Sequence, residues 1–178
     1  MAETPETPAA GGNPAEQTEA PRLMIQTQFI KDLSFENPRA PISLEQSQQR
    51  PEISVRVDVR GEAMAENRYE VVLVLNVDAK VGDEAVFVLE LSYGGVFMLT
   101  NIPKESLQPL LLVECPRLLF PFARRIVADA TRDGGFPPLM IDPIDFVALY
   151  RRRQQEAQAA AAAAGGAPEQ APSAAAVN

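Results

Sequence analysis

The chain is 178 residues long with a formal net charge of −8, no histidine, no tryptophan and one cysteine. An acidic chain has no strong electrostatic grip on nucleic acid, and the missing histidine removes serine–histidine and cysteine–histidine catalysis along with histidine-held metals. With a lone Cys115, no glycine-rich phosphate loop and no carboxylate pair standing out from the surface charge, the expectation is a binding protein without cofactor or metal rather than an enzyme.

Residues 1–22 carry Pro5, Pro8, Pro14 and Pro21, a Gly11–Gly12 pair and several glutamates, but no aromatic or β-branched aliphatic side chain. Such a segment cannot bury enough apolar surface to offset the entropy of ordering it, so a disordered tail is expected. It joins no basic stretch to an apolar run, and nowhere does the chain approach the roughly 20 apolar residues of a bilayer span. A cytoplasmic protein without direct membrane insertion is expected.

The folded body is expected over residues 23–153, the size of one domain. Leu23–Lys31 reads as a first strand with apolar residues on both faces. Pro38, Pro41 and Pro51 punctuate the segment between it and the second strand, which marks a long crossover rather than a hairpin. Residues 52–60 alternate Ile53, Val55, Val57 and Val59 with Ser54, Arg56, Asp58 and Arg60, the period of a half-buried antiparallel strand. Residues 68–81 repeat the pattern with Tyr69, Val71, Leu73, Leu75, Val77 and Ala79. Their other face mixes Glu70, Asn76, Asp78 and Lys80 with Val72 and Val74. After a turn at Gly82–Asp83, a fourth strand over 84–93 sets Ala85, Phe87, Leu89, Leu91 and Tyr93 against Val86, Val88, Glu90 and Ser92. Gly94–Gly95 is expected to bend or bulge it before Val96–Leu99.

Lys104–Arg132 reads as helix, with Leu118, Leu119, Phe122 and Ile126 as an apolar stripe and Pro116 in the first turn of a second helical piece. Gly134–Gly135 ends it, and Phe136–Pro143 connects to a final helix over about 143–155, capped by Asp142 with Pro143 at its first position. Arg151–Arg153 near its C-terminus suit the helix dipole. Residues 154–178, mostly alanine, glutamine, glycine and proline, are expected to form a second disordered tail, although the alanines at 159–164 can carry the helix on for a turn or two. Strands first and helices after make an α+β domain: a four-stranded antiparallel sheet with a long crossover after strand 1, followed by two helices.

Two questions stay open at this level. The valines on the second sheet face and the width of the helical stripe either cover one another within a subunit or form a surface kept for a partner. The excess of acidic over basic residues across 23–114 is either solvation or a surface for a basic partner.

Four blocks, in order, resemble the SecB family of export chaperones. They are FIKDLSFENPRAP at 29–41, YEVVLVLNVDAKVGDEAVFVLEL at 69–91 with YGGVF at 93–97, CPRLLFPFAR at 115–124, and GGFPPLMIDPIDFVALY at 134–150. Cys-Pro, Phe-Pro and Pro-Pro inside helical or connector sequence make the last two the most specific. The resemblance implies a homotetramer, a dimer of dimers, that holds unfolded precursor proteins without ATP and passes them to the SecA motor. It places the SecA contact at Asp32, Glu36, Val88 and Glu90. It places client grooves between the crossover, the sheet and the last helix, near Ile42, Leu44, Phe146, Leu149 and Tyr150. The crossover ISLEQSQQRPEI lacks the tryptophan that many relatives carry before the Pro-Glu pair, and Leu89 stands where some have cysteine. Two rivals remain: the same fold as a general holdase without SecA handoff, and a small-ligand-binding α+β domain with a closed, polar pocket.

Overall fold

The computed structural model describes residues 20–45 and 50–164; residues 1–19 and 165–178 of the two expected tails, and residues 46–49 of the crossover, lie outside these. Four strands, β1 (Arg22–Glu36), β2 (Glu52–Ala65), β3 (Arg68–Val81) and β4 (Glu84–Thr100), form one antiparallel sheet in the order β1-β4-β3-β2. From β2 to β4 the chain is a meander, with Asn67 at φ 57° and Gly82 at φ 60° in the two turns, the left-handed positions that tight hairpins demand. β1 joins the far side of β4, so the chain after Glu36 must cross the end of the sheet, past the β3–β4 hairpin, to reach β2. Arg39 pairs with Glu84 at that hairpin, Ser43 Oγ donates to Asn37 Oδ1 at 2.7 Å, and a single helical turn, α1 (Ile42–Glu45), forms on the way. The long crossover signalled by the prolines is what this strand order requires.

β1 runs past the end expected at Lys31. Register shifts between Ile25 and Thr27, and between Ile30 and Asp32, each place an extra residue opposite β4. Such a bulge reverses the alternation beyond it. Leu33 and Phe35 therefore return to the side of buried Leu91 and Leu89, while Asp32, Ser34 and Glu36 face the other way. A strict period of two cannot be followed across that point. β2 likewise continues past Arg60 to Ala65.

β4 is unbroken to Thr100 with no register shift at Gly94–Gly95, so no bulge forms there, and neither glycine has a positive φ. Space explains them. A Cβ on Gly94 would stand 2.8 Å from the Phe29 ring, and one on Gly95 would stand 2.8 Å from Leu119 Cδ2.

α2 (Lys104–Pro109), a π-turn segment (Leu110–Glu114) and α3 (Cys115–Asp133) form one continuous helical run. Pro116, in the first turn of α3, has no N–H to give a carbonyl four residues back. The wider π turn, in which Cys115 N–H donates to Leu110 O, absorbs that fault. Leu119, Ala123, Val127 and Thr131 recur every fourth residue and are all fully buried, together with Leu73, Leu75, Leu91 and Phe97 of the sheet. The expected stripe is thus rotated. Leu119 belongs to it and Ile126 is half-buried, but Leu118 and Phe122 lie about 100° round the helix and are 42% and 47% exposed.

α3 ends as expected at the glycine pair. Gly135 N–H donates to Arg132 O and Phe136 N–H to Thr131 O, with Gly135 at φ 89°: a Schellman closure. The last helix, α4 (Phe146–Ala164), starts later than expected. Its cap is Asp145, whose Oδ1 accepts from Ala148 N–H at 3.0 Å, and not Asp142. It also ends later. The tail expected from residue 154 is helical as far as Ala164, the extension that the alanine run allows, because alanine, glutamine and glutamate all favour the state that α4 has already nucleated.

Candidate functional site

The register of β1 and β4 assembles the four residues implied as a partner contact. Asp32 lies opposite Ser92, Ser34 opposite Glu90, and Glu36 opposite Val88. Because Leu33, Phe35, Leu89 and Leu91 alternate with them toward the helices, Asp32, Glu36, Val88 and Glu90 share the opposite, open face. Asp32 and Glu36 are separated by roughly 13 Å of extended chain, and β4 lies about 4.8 Å to one side. Asp32, Glu36 and Glu90 are exposed and Val88 is half-buried.

Their electrostatic state separates these carboxylates from their neighbours. Glu70 is paired with Lys31 at 2.8 Å, Asp78 with Arg56 at 2.8 Å, and Asp58 with Arg60 and Arg153 at 3.4 and 3.3 Å. Among the described residues, no cation pairs with Asp32, Glu36 or Glu90. The open face therefore carries a strip of uncompensated negative charge, bounded on one side by the Lys31–Glu70 pair.

Of the five residues implied as a client groove, only Leu149 and Tyr150 line a common trough. Ile42 and Leu44 sit on α1, 53% and 42% exposed, with Leu44 against Gly135: a Cβ there would meet Leu44 Cδ2 at 3.0 Å. Leu149 and Tyr150 are half-buried on α4 and line a trough of about 170 Å³ with Val57 and Val59 of β2 and Leu112 of the π turn, and charged Asp58, Arg152, Arg153 and Glu156 line it too. Phe146 is only 1% exposed and packs edge-on against Phe120 at 6.2 Å. It is a core residue, with no surface to offer a client. The sequence did not single out Leu112 as a wall, or the exposure of Ile53 (42%) and Val55 (36%) on β2. Alternation shows which residues share a face, but not that β2 is an edge strand whose helix-side face is only partly covered.

A second uncovered apolar zone joins α3 to β1. Leu118 and Phe122 point away from the core, Phe122 stacks on Tyr93 at 6.5 Å, and Ile30, opposite Tyr93 in the register, is 49% exposed. Cys115, by contrast, is fully buried, and burial, with a contribution from Glu114, pushes its thiol up to about 12. A thiol held protonated in this way is no nucleophile. Among the described residues, no helix is long and apolar enough to cross a membrane.

Among the described residues, uncovered apolar side chains on the helix side and unpaired carboxylates on the open side make a domain with two unlike exposed surfaces and no closed polar pocket of the enzymatic kind. Known proteins assign that domain to a class. The SecB family, described as preprotein translocase subunit SecB, matches residues 16–157. The protein-export protein SecB of Rhodopseudomonas palustris strain BisB5 is 55% identical over 141 residues, 79% of this chain and 89% of that protein. The same-named protein of Parvibaculum lavamentivorans is 55% identical over 167 residues, 94% of this chain and 91% of that one. A SecB-like chaperone of Mycobacterium tuberculosis, solved in complex with an antitoxin peptide, shares the fold with a TM-score of 0.59 over 69% of this chain and 91% of that chain, at 16% identity. The chain belongs to the SecB family of protein-export chaperones, and it is a chaperone rather than an enzyme.

Proposed function

We propose that the chain is a homotetrameric, ATP-independent holding chaperone of the cytosol that binds unfolded export precursors and delivers them to SecA. The observation that carries this reading is the apolar surface left uncovered around the crossover. Ile42, Leu44, Ile53 and Val55 remain exposed while Ala79 and Val77, opposite Ile53 and Val55 in the register, are sealed in the core. A chaperone for many clients needs surface that reads apolarity and extended backbone rather than one sequence. The outer edge of β2, with no strand beyond it among the described residues, supplies backbone groups for pairing, and the trough beside Leu149 and Tyr150 supplies apolar contact. Four copies let one long client bind at several weak sites at once, and release follows from transfer, so no nucleotide is consumed.

The strip Asp32, Glu36 and Glu90, with Val88 as its apolar point, is the proposed contact for a basic segment of SecA. Exposed carboxylates of this kind mainly raise association rate and specificity. The Leu118, Phe122 and Ile30 zone is the proposed seat of a second copy. An isologous contact there doubles each apolar contribution and removes a patch that a monomer would leave wet.

The test is suppression of aggregation of a chemically denatured precursor at stoichiometric chaperone without nucleotide, followed by transfer to SecA. Failure to hold several different precursors would refute the reading. Holding without any SecA complex would leave the general holdase.

A further inference from the structure

α4 is tied to the rest of the subunit in an uneven way. Phe146 is buried and Val147, Leu149 and Tyr150 are half-buried, but every residue from Arg151 to Ala162 is exposed. Within that exposed stretch one side chain reaches another element. Arg153 Nη1 donates to Val59 O at 2.6 Å and to Asp58 Oδ1 at 3.3 Å. Both acceptors belong to β2, the edge strand, and Arg153, Asp58 and Val59 all line the trough that holds Leu149 and Tyr150. Arg153 thus spans the trough from its helical wall to its strand wall. It also occupies a carbonyl on the free edge of β2, which is the group an added strand must use.

We propose that Arg153 is a latch on the trough. Its guanidinium holds α4 against the edge of β2, and an extended segment of an unfolded client must displace it to pair with the β2 backbone. The occupant is set by the chemistry of the edge. A carbonyl engaged by an N–H donor can be won only by another donor, and an extended polypeptide brings a backbone N–H to Val59 O together with apolar side chains for Val57, Leu112 and Leu149. Asp58 makes the latch weak enough to open. It is shared with Arg60 at 3.4 Å, and both Arg153 and Asp58 are about half exposed, so their ion pair is screened by salt. This proposal rests on the holding function above and adds a gate to it.

Two readouts test it on the full-length assembled protein. Amide hydrogen exchange across Gln154–Ala162 reads the latch without any client. Anisotropy of a fluorescently labelled unfolded precursor segment reads the gate. Arg153→Ala should speed exchange in that stretch and tighten the labelled segment by about fivefold, the fold-change that corresponds to an exposed ion pair at the upper end of its range. Arg153→Lys, which keeps the charge opposite Asp58, should restore most of the wild-type behaviour in both. Unchanged exchange in Arg153→Ala overturns the latch. Faster exchange with unchanged or weaker client binding overturns the gate. A labelled segment that binds neither wild type nor variant overturns the holding function instead, and with it the client that the gate would admit.

Discussion

Replacing Thr131 by valine removes a hydroxyl while keeping the outline of the side chain. Thr131 is 0% exposed. Its Oγ1 donates to Val127 O (3.0 Å) or Ala128 O (3.1 Å) and accepts from Leu139 N–H at 2.9 Å. The two halves of that arrangement differ in weight. Carbonyls in the middle of a helix already serve the helical ladder, so losing the hydroxyl proton leaves little unpaired. Leu139 N–H is different: it lies half-buried in the extended connector between α3 and α4, and valine gives it nothing. An orphaned donor of this kind costs about 1–3 kcal/mol, a large share of ordinary domain stability. Thr131→Ser is the matched control, since it keeps the oxygen and drops one buried methyl, about 1 kcal/mol. Urea unfolding at one fixed protomer concentration, which assembly makes necessary, should therefore show both variants destabilised, but only valine should speed amide exchange at Leu139. Because that connector carries α4 to the trough, valine should also weaken client binding modestly. A valine variant with wild-type stability and an unchanged Leu139 amide would refute the assignment of Thr131 as the connector's anchor.

Charge reversal on the open face, Asp32→Arg or Glu90→Arg, should weaken SecA binding about tenfold at low salt. The loss should shrink as salt shortens the screening length from about 10 Å at 0.1 M toward 3 Å at 1 M; calorimetric titrations equal to wild type would remove the strip as the contact. The pair Leu118→Asp and Phe122→Asp should lower the mass measured by light scattering while leaving the circular dichroism of the subunit unchanged, and an unaltered mass would exclude this helix face from assembly. Cys115 sets a pH window. Its folded pKa of about 12 stands above the ordinary thiol value of 9.0, so the cost of its raised pKa is absent below pH 9 and grows as pH rises toward 12, where only the unfolded chain ionises. Cys115→Ala should flatten that alkaline part of the stability curve, and a thiol reagent should label wild type only on unfolding.

What the sequence reveals depends on whether one element alone carries the information. β3 is flanked on both sides, so its alternation is enforced along its whole length, and its expected bounds at 68 and 81 are those observed. β1 is an edge strand with two bulges, and its second half is hidden because an inserted Lys31 changes the phase of the pattern. The helix stripe is misplaced by one position for a related reason: Leu118 and Leu119 are equally apolar, and Leu119 is the one that turns inward, with Ala123 and Val127, to pack close to Gly95. Phe146, Leu149 and Tyr150 share a side of α4, but their depth depends on Phe120 and Leu112, residues brought there by a π turn that no spacing rule announces. Arg153 reads from the sequence as a charge suited to a helix end. Its bond to Val59 O exists only because β2 lies alongside.

On the proposed function, the same bulge lets one sheet serve two kinds of polypeptide. By restoring Leu33 and Phe35 to the helix side, it lines up Asp32 and Glu36 with Val88 and Glu90 on the open side, and it turns Lys31 toward Glu70, which closes the acidic strip at one end. The strip therefore occupies the end of the sheet near the crossover, where Glu36 faces Val88 and β2 begins. At that same end, on the other face, Ile53 and Val55 stand exposed on β2. On the proposed reading, docking and holding then fall on opposite faces of the same end of the sheet, docking on β1 and β4 and holding on β2, one face charged and the other apolar. A basic partner can approach without touching the client, so a complex of all three is sterically allowed. Release cannot come from direct displacement at the strip; it must come from competition for the client itself. Docking should therefore weaken as salt rises, whereas holding should not, because the ion pair that gates it, Arg153–Asp58, opposes the client.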